Sequence, residues 1–467
     1  MYINDKECEF ETKKNFNKTG IYTIKLKFNK FLTDTSGLFS DCKDIIEIDL
    51  SSLITKYIKN MSSMFRDCIN LKYINLSTFI TKNVVNMKEL FKDCKNLQNV
   101  NLCSFDTSNV TDMSLMFYNC NNFCNNLDLS NFNTKNVYNM NRLFYNCNHI
   151  RILNLSSFDT SNVTNMEYMF SDCNELYNIY FSNNFKTNKV HNMNSMFKNC
   201  NSLIDLDLLL FDTMNVRDMS YMFYGCYNLK NLNISSFNTE NIKYMNNMFD
   251  GCRNLQILNL SSFRTQNVTS MVGLFKDCLN LINLNLLFFD TKKVINMKEM
   301  FTNCQKLIEL NLSSFNTNNV SDFGDMFYGC TNLVILDILS FNTQNARNMA
   351  NIFRNCNTIN YINLSSFNTE NVINMSGMFQ NCYNLLKIDL LNFDTKKVNN
   401  MKGMFYGCQS LTELNLSSFV TINVKDMSEM FCDCINLKNL ILSLNTKKVT
   451  NFSKMFIWIY HYLKLQI

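Results

Sequence analysis

The chain has 467 residues, a net charge of +5 and a 46% apolar share, with 20 Cys, 28 Met and 40 Phe but no Pro. So small a charge, spread over the whole length, excludes the concentrated basic stripe of a nucleic-acid binder. The length would ordinarily imply about three domains, but an internal repeat removes that expectation, because a stacked array grows without one limiting core.

In chain order, Met1 to Lys18 comes first; it is charged throughout and lacks the roughly 7–15-residue apolar run of a secretory signal. Ile21 to Phe28 alternates apolar and polar side chains and predicts a strand. Residues 1–33 therefore read as an N-terminal β cap. From residue 34 to 456 one unit recurs. Its anchor, a Phe, appears 17 times from Phe39 to Phe456, every 26 residues except for two steps of 27 and a last one of 25. A fixed period in this range is the mark of a solenoid.

Residues 71–96 show the unit. Leu71, Ile74 and Leu76 alternate with Tyr73 and Asn75, which predicts a strand with one buried face. Phe79 fills the interior after the strand, and Thr81, with an equivalent in each unit from Thr55 to Thr446, has a hydroxyl suited to the backbone groups of the bend. Val84 points inward again. Asn86 then stands where an N-cap would stand, and Met87, Leu90 and Phe91 fall on one helical face. Two residues after each anchor comes Asp, Asn or Gly, from Asp41 to Asp433, the residue types that tolerate a left-handed stop. The expectation is a strand, a bend, a short capped helix and a stop. The fold class expected is an α/β repeat: a right-handed leucine-rich-repeat-like solenoid of about 16 units, with a parallel sheet on one face and short helices on the other. At ~4.8 Å per unit it extends roughly 75 Å.

Insertions near Phe123-Cys124 and Asn183-Asn184 lengthen loops without changing the register. After a shortened last unit, residues 457–467 form an apolar, aromatic end. It is shorter than the ~20 residues a bilayer span needs and contains His461 and Lys464. It reads as a cap or tail, with a truncated membrane anchor as the other reading.

Sixteen of the 20 Cys lie three residues after the anchor, from Cys42 to Cys434; Cys8, Cys103, Cys124 and Cys432 are the others. One Cys per unit with no second recurring ligand does not make a metal site. Parallel thiols ~4.8 Å apart leave reduced core thiols or some disulfides as the readings. His149, His191 and His461 fall in separate units and assemble no catalytic set. No glycine-rich phosphate loop is present, since Gly225, Gly251, Gly329 and Gly407 are stops. Neither a cofactor nor a metal is expected.

Recognition in a repeat protein falls to the outward positions. Between the two inward strand residues lie Asn75, Asn101, Asp128, Asn154, Tyr180, Asp207, Asn233, Asn259, Asn285, Asn311, Asp337, Asn363, Asp389 and Asn415. This row is either a ladder of stacked amides or a strip for a polar partner. Just beyond it most units carry Ser-Ser, but Leu209-Leu210, Leu287-Phe288, Leu339-Ser340 and Leu391-Asn392 break the pattern. If exposed, Leu209, Leu287 and Phe288 mark a binding patch; otherwise they pack under a loop. Lys292-Lys293 and Lys396-Lys397 stand 104 residues apart, four units, which points to duplication of whole blocks.

The run Leu-Ser-Ser-Phe-Asp-Thr-Ser-Asn-Val-Thr-Asn-Met-Glu-Tyr-Met-Phe-Ser-Asp-Cys at 155–173, with its equivalents through 34–456, resembles the BspA-type leucine-rich repeat, and more closely its mycoplasma-lipoprotein-like subtype. The common BspA form is shorter and carries Ile-Pro and Ala-Phe-x-x-Cys, whereas this chain has no Pro and carries Met-Phe-x-x-Cys. The resemblance implies a surface protein and adhesion. The expected function is a non-enzymatic interaction scaffold that binds a protein or glycoprotein partner through its sheet face, as a monomer without an integral span. An intracellular binding or sensing solenoid is the alternative. Sequons at Asn154 and Asn162 bear on this choice, since a glycan on Asn154 would obstruct the proposed row.

Overall fold

A computed structural model describes residues 2–7, 9, 20–122, 127–457, 459 and 464–466. At the N-terminal end β1 (Tyr2–Ile3) pairs antiparallel with β2 (Lys6–Glu7) and β3 (Ile24–Lys25), so the strand expected over 21–28 is confined to two residues. The insertion at 123–124 lies outside the described residues.

Among the described residues the turns of the solenoid at Ile257, Asn283, Tyr361 and Lys387 contribute isolated parallel bridges, and twelve other turns contribute a short strand each. Three lie before the first insertion: β4 (Glu47–Asp49), β5 (Tyr73–Asn75) and β6 (Asn99–Val100). Four come after it: β7 (Ile152–Leu155), β8 (Asn178–Phe181), β9 (Asp205–Asp207) and β10 (Asn231–Asn233). The rest are β11 (Glu309–Asn311), β12 (Ile335–Asp337), β13 (Glu413–Leu416), β14 (Asn439–Leu442) and β15 (Lys464–Gln466). Pairing is parallel and in register at one repeat: Ile74 lies opposite Ile48, and Leu155 opposite Phe181. The latter pair holds the register up to the insertion at 183–184. Ile48, Ile74 and Leu153 point inward while their neighbours are exposed, as the two-residue alternation requires.

The expected helices do not form: among the described residues there is none. The cap interaction itself exists, since Asn86 Oδ1 accepts the N–H of Lys88 at 2.9 Å. From Met87 onward, however, the backbone runs as linked turns. Leu90 N–H bonds to Met87 O and Cys94 N–H to Phe91 O, three residues back, and Glu89 and Asp93 have φ of 58° and 60°. A positive φ at the third residue of a turn is the mark of type II geometry. The intervening N–H groups leave the unit. Met61, Ser63, Phe65 and Asp67 donate to the carbonyls of Asn86, Lys88, Leu90 and Lys92 at 2.8–3.0 Å.

The pattern continues along the array, and the cap residues from Asp34 to Asn451 form one parallel ladder of 17 members. The physical reason is the stacking itself. A helix of about eight residues would leave four N–H and four C=O groups unpaired at its ends, whereas stacked turns pair alternate groups with the next unit. The apolar spacing that suggested a helix serves the turns equally well, since Met87, Leu90, Phe91 and Cys94 are all fully buried.

Three columns fill the interior. The anchor rings form an unbroken stack, with centroids 5.4–5.9 Å apart and planes within 18° from Phe39 to Phe456. The bend Thr residues form the second. Thr81 Oγ1 donates to Asp106 O at 2.9 Å and accepts from Asp106 N–H at 2.7 Å, so one hydroxyl satisfies both backbone groups of the next unit. The ladder cysteines form the third, each thiol from Cys68 to Cys434 donating to the carbonyl of the anchor Phe one unit earlier, as Cys94 does to Phe65 O at 3.0 Å.

Candidate binding face

The row predicted for recognition lies one residue per unit on the outward strand face. Eleven of its residues are exposed and Asn233, Asp337 and Asn363 are half-buried. Its chemistry is largely internal. Asn75 Oδ1 accepts Ser77 N–H at 3.2 Å, Asp207 Oδ1 accepts Leu209 N–H at 3.0 Å, and Asn415 Oδ1 accepts Ser417 N–H at 3.0 Å. Asn101, Asp128, Asn154, Asn233, Asn259, Asn285, Asn311, Asp337, Asn363 and Asp389 make the same bond. Such bonds are Asx turns that bend the chain out of the strand. Tyr180 lacks the carbonyl for one. Bonds along the row are fewer, such as Asn233 Nδ2 to Asp207 Oδ1 at 2.9 Å and Asn75 Nδ2 to Asp49 Oδ1 at 3.4 Å.

The pattern-breaking residues are on the surface rather than under a loop: Leu209, Leu287, Phe288, Leu339 and Leu391 are 50–55% exposed. The structure adds neighbours that the sequence reading passed over. Ile282, Ile308, Val334 and Leu386 share one outward strand position, and Ile257, Ile335 and Tyr361 another, all of them exposed. In other units those positions mix polar residues, such as Lys72, Arg151, Lys230, Glu47, Asn99 and Asp205, with exposed apolar ones, such as Ile46, Tyr73, Ile152 and Ile204. Aligning the strand edges unit by unit would have found them. Together with Leu287, Phe288, Leu339 and Leu391 they make an apolar tract across the units between 257 and 391. Arg264 caps it on one side, its guanidinium 4.8 Å from the Phe288 ring.

The cysteine ladder offers no reactive thiol. All 18 described cysteines are free, and Cys8 and Cys124 lie outside the described residues. Burial pushes the thiols up, to about 12 at Cys226, Cys330 and Cys382, so the thiolate needed for nucleophilic or metal chemistry is not populated. Among the described residues no group of three or more His, Cys, Asp or Glu is placed to hold a metal, and no helix is long and apolar enough to cross a membrane. His149 and Arg151 both engage Glu175, at 2.8 and 3.0 Å; His461 lies outside the described residues.

One carboxyl group stands apart. Asp250 is 5% exposed on the turn side. Burial, with the nearby Asp277 and Glu299, raises its pKa to about 7 against the pull of Lys276. A raised folded pKa means the folded state holds a proton that the unfolded chain releases near pH 4, so stability falls as pH rises from about 4 to about 7. Asp250→Asn removes that dependence. Urea unfolding is expected to show the variant more stable than wild type by about 1–3 kcal/mol at pH 8 and equal to it near pH 4.

The architecture is thus that of a leucine-rich-repeat-like solenoid whose strand face is its open surface. By sequence, the chain belongs to the family described as "Mycoplasma protein of unknown function, DUF285", whose model matches overlapping segments from 33–153 to 347–462. No curated protein matches. Among solved structures, a leucine-rich-repeat protein of Leptospira interrogans is 14% identical over 94% of this chain and 93% of its own, with a TM-score of 0.24. One from Eubacterium ventriosum is 19% identical over 73% and 84%, with a TM-score of 0.39. A leucine-rich cell surface protein of Faecalibacterium prausnitzii is 12% identical over 90% and 82%, with a TM-score of 0.22. None of the three superposes closely enough to transfer a function.

Proposed function

We propose that this protein is a non-enzymatic scaffold that docks a protein partner on its strand face, acting in surface adhesion as a monomer with residues 1–33 and 457–467 as its caps. The observation that carries this reading is the apolar tract between Ile257 and Leu391. Ile257 is 74% exposed and Leu386 57%, and exposed apolar side chains recur in each of the six successive units from Ile257 to Leu391, whereas elsewhere on the face residues such as Ile46, Ile152 and Ile204 are interrupted by units carrying Lys72, Asn99 and Lys230. A contiguous apolar patch framed by polar side chains is a usual mark of a protein interface. Core positions are uniform along the array and these outward ones are not, as expected where recognition is separated from folding.

The test replaces Leu287, Phe288, Leu339 and Leu391 together by Ser. Ser261, Ser262, Ser313 and Ser365 already occupy equivalent sites, so the fold tolerates the change. Cross-linking on intact cells should join wild type to a discrete partner protein and leave the variant unjoined. Equal cross-linking of both proteins to the same partner would contradict the reading, and labelling confined to the cell interior would favour an intracellular scaffold.

A further inference from the structure

On the ladder beside the turns, His191, Arg217 and Lys243 occupy the same position in three successive units. Their backbones are locked in register: Arg217 N–H donates to His191 O at 2.9 Å and Lys243 N–H to Arg217 O at 2.8 Å. Units on a parallel ladder repeat at ~4.8 Å, so the three side chains span about 10 Å. With Asn215, Asn241 and Asn267 they line a groove of about 390 Å³. All three basic residues are exposed, and among the described residues no carboxylate lies within ion-pair distance of Arg217 or Lys243, in contrast to Arg151 and Lys276. The nearest acid in sequence, Asp218, is occupied, its two oxygens accepting from Ser220 N–H and Asn194 Nδ2. The amides of Asn215 and Asn241 donate inward, to Asn188 O at 2.6 Å and Met214 O at 2.8 Å. That leaves their carbonyl oxygens as the acceptors the groove can offer.

We propose that this groove binds a linear polysaccharide carrying sulfate or carboxylate groups. The Arg217 and Lys243 cations at a fixed spacing match anionic substituents repeated along a chain, the His191 ring extends the row with a further polar group, and the adjoining amide oxygens accept from sugar hydroxyls. The cationic stretch ends at Thr164 on one side and Thr269 on the other, too short for the basic stripe that tracks a nucleic acid. A lone inorganic anion would contact only part of it.

The test measures binding of the full chain to heparin at about 0.1 M salt, where exposed charges still act over the span of the site. The variant His191→Thr/Arg217→Ser/Lys243→Thr takes residue types found at this position in Thr164, Ser321 and Thr269. Lys425→Thr, an isolated cation on the same ladder, is the control. The expected result is an affinity loss of about tenfold or more for the triple variant and less than about twofold for the control. Inorganic sulfate at equal charge should compete weakly, and single-stranded DNA should bind wild type more weakly than heparin does. Undiminished heparin binding by the folded triple variant, or DNA binding as tight as heparin, would overturn the proposal.

Discussion

Replacing Phe275 by Ala is expected to lower the unfolding free energy by about 3–5 kcal/mol, the range for removing a large buried ring. The ring is fully buried and stacks on Phe249 at 5.8 Å and on Phe301 at 5.6 Å. Its loss therefore opens a gap in a column that runs through every unit, and the flanking rings cannot close it because each is held by its own turn. Because a repeat protein's stability is a sum of unit and interface terms, Phe249→Ala and Phe301→Ala should cost the same within about 1 kcal/mol. Equilibrium urea unfolding decides it. A loss below about 1 kcal/mol would mean that the column repacks and that the stack is not what holds the units together.

The second large effect is polar. Thr317 is fully buried, and its hydroxyl donates to Asn342 O at 2.9 Å and accepts from Asn342 N–H at 2.8 Å. Thr317→Val keeps the shape and strips both bonds, leaving a buried donor and a buried acceptor without partners. At about 1–3 kcal/mol for each unsatisfied group, the expected cost is about 2–4 kcal/mol. Thr317→Ser, which restores the hydroxyl and loses only a methyl, should recover most of it. Equal losses for Val and Ser would show that packing, not the hydroxyl, matters at the bend.

These two positions also mark how far the sequence could be read. The inward strand residues, the Thr at the bend and the left-handed stop were legible because each rests on a local rule of periodicity or backbone conformation. Asp93 and Asn119 have the positive φ expected of them. The helix was misread because Met87, Leu90 and Phe91 have a spacing shared by a helical turn and by two linked turns, and what separates the two is the partner of each N–H, which lies in another unit. A signal was present nevertheless. Gly37, Gly273, Gly377 and Gly403 sit in the middle of the supposed helix, at the position of Glu89, with φ of 57–62°. A glycine recurring there favours a left-handed residue over a helix interior.

The proposed binding face was legible only in part. Leu287 and Phe288 announce themselves by interrupting Ser-Ser, but Ile257 or Leu386 looks like any strand residue until neighbouring units set it beside the others. The amide row poses the opposite problem. Its side chains recur because each unit needs an Asx turn, so recurrence alone does not separate a structural ladder from a strip for a polar partner.

Far-UV circular dichroism of the full chain tests the central structural claim most directly, that units are joined by stacked turns bonded between repeats and not by helices packed on a sheet. The expected result is a spectrum without the helical double minimum, lost cooperatively on unfolding. A strong helical signature would contradict it, and with it the ladder that sets His191, Arg217 and Lys243 in line.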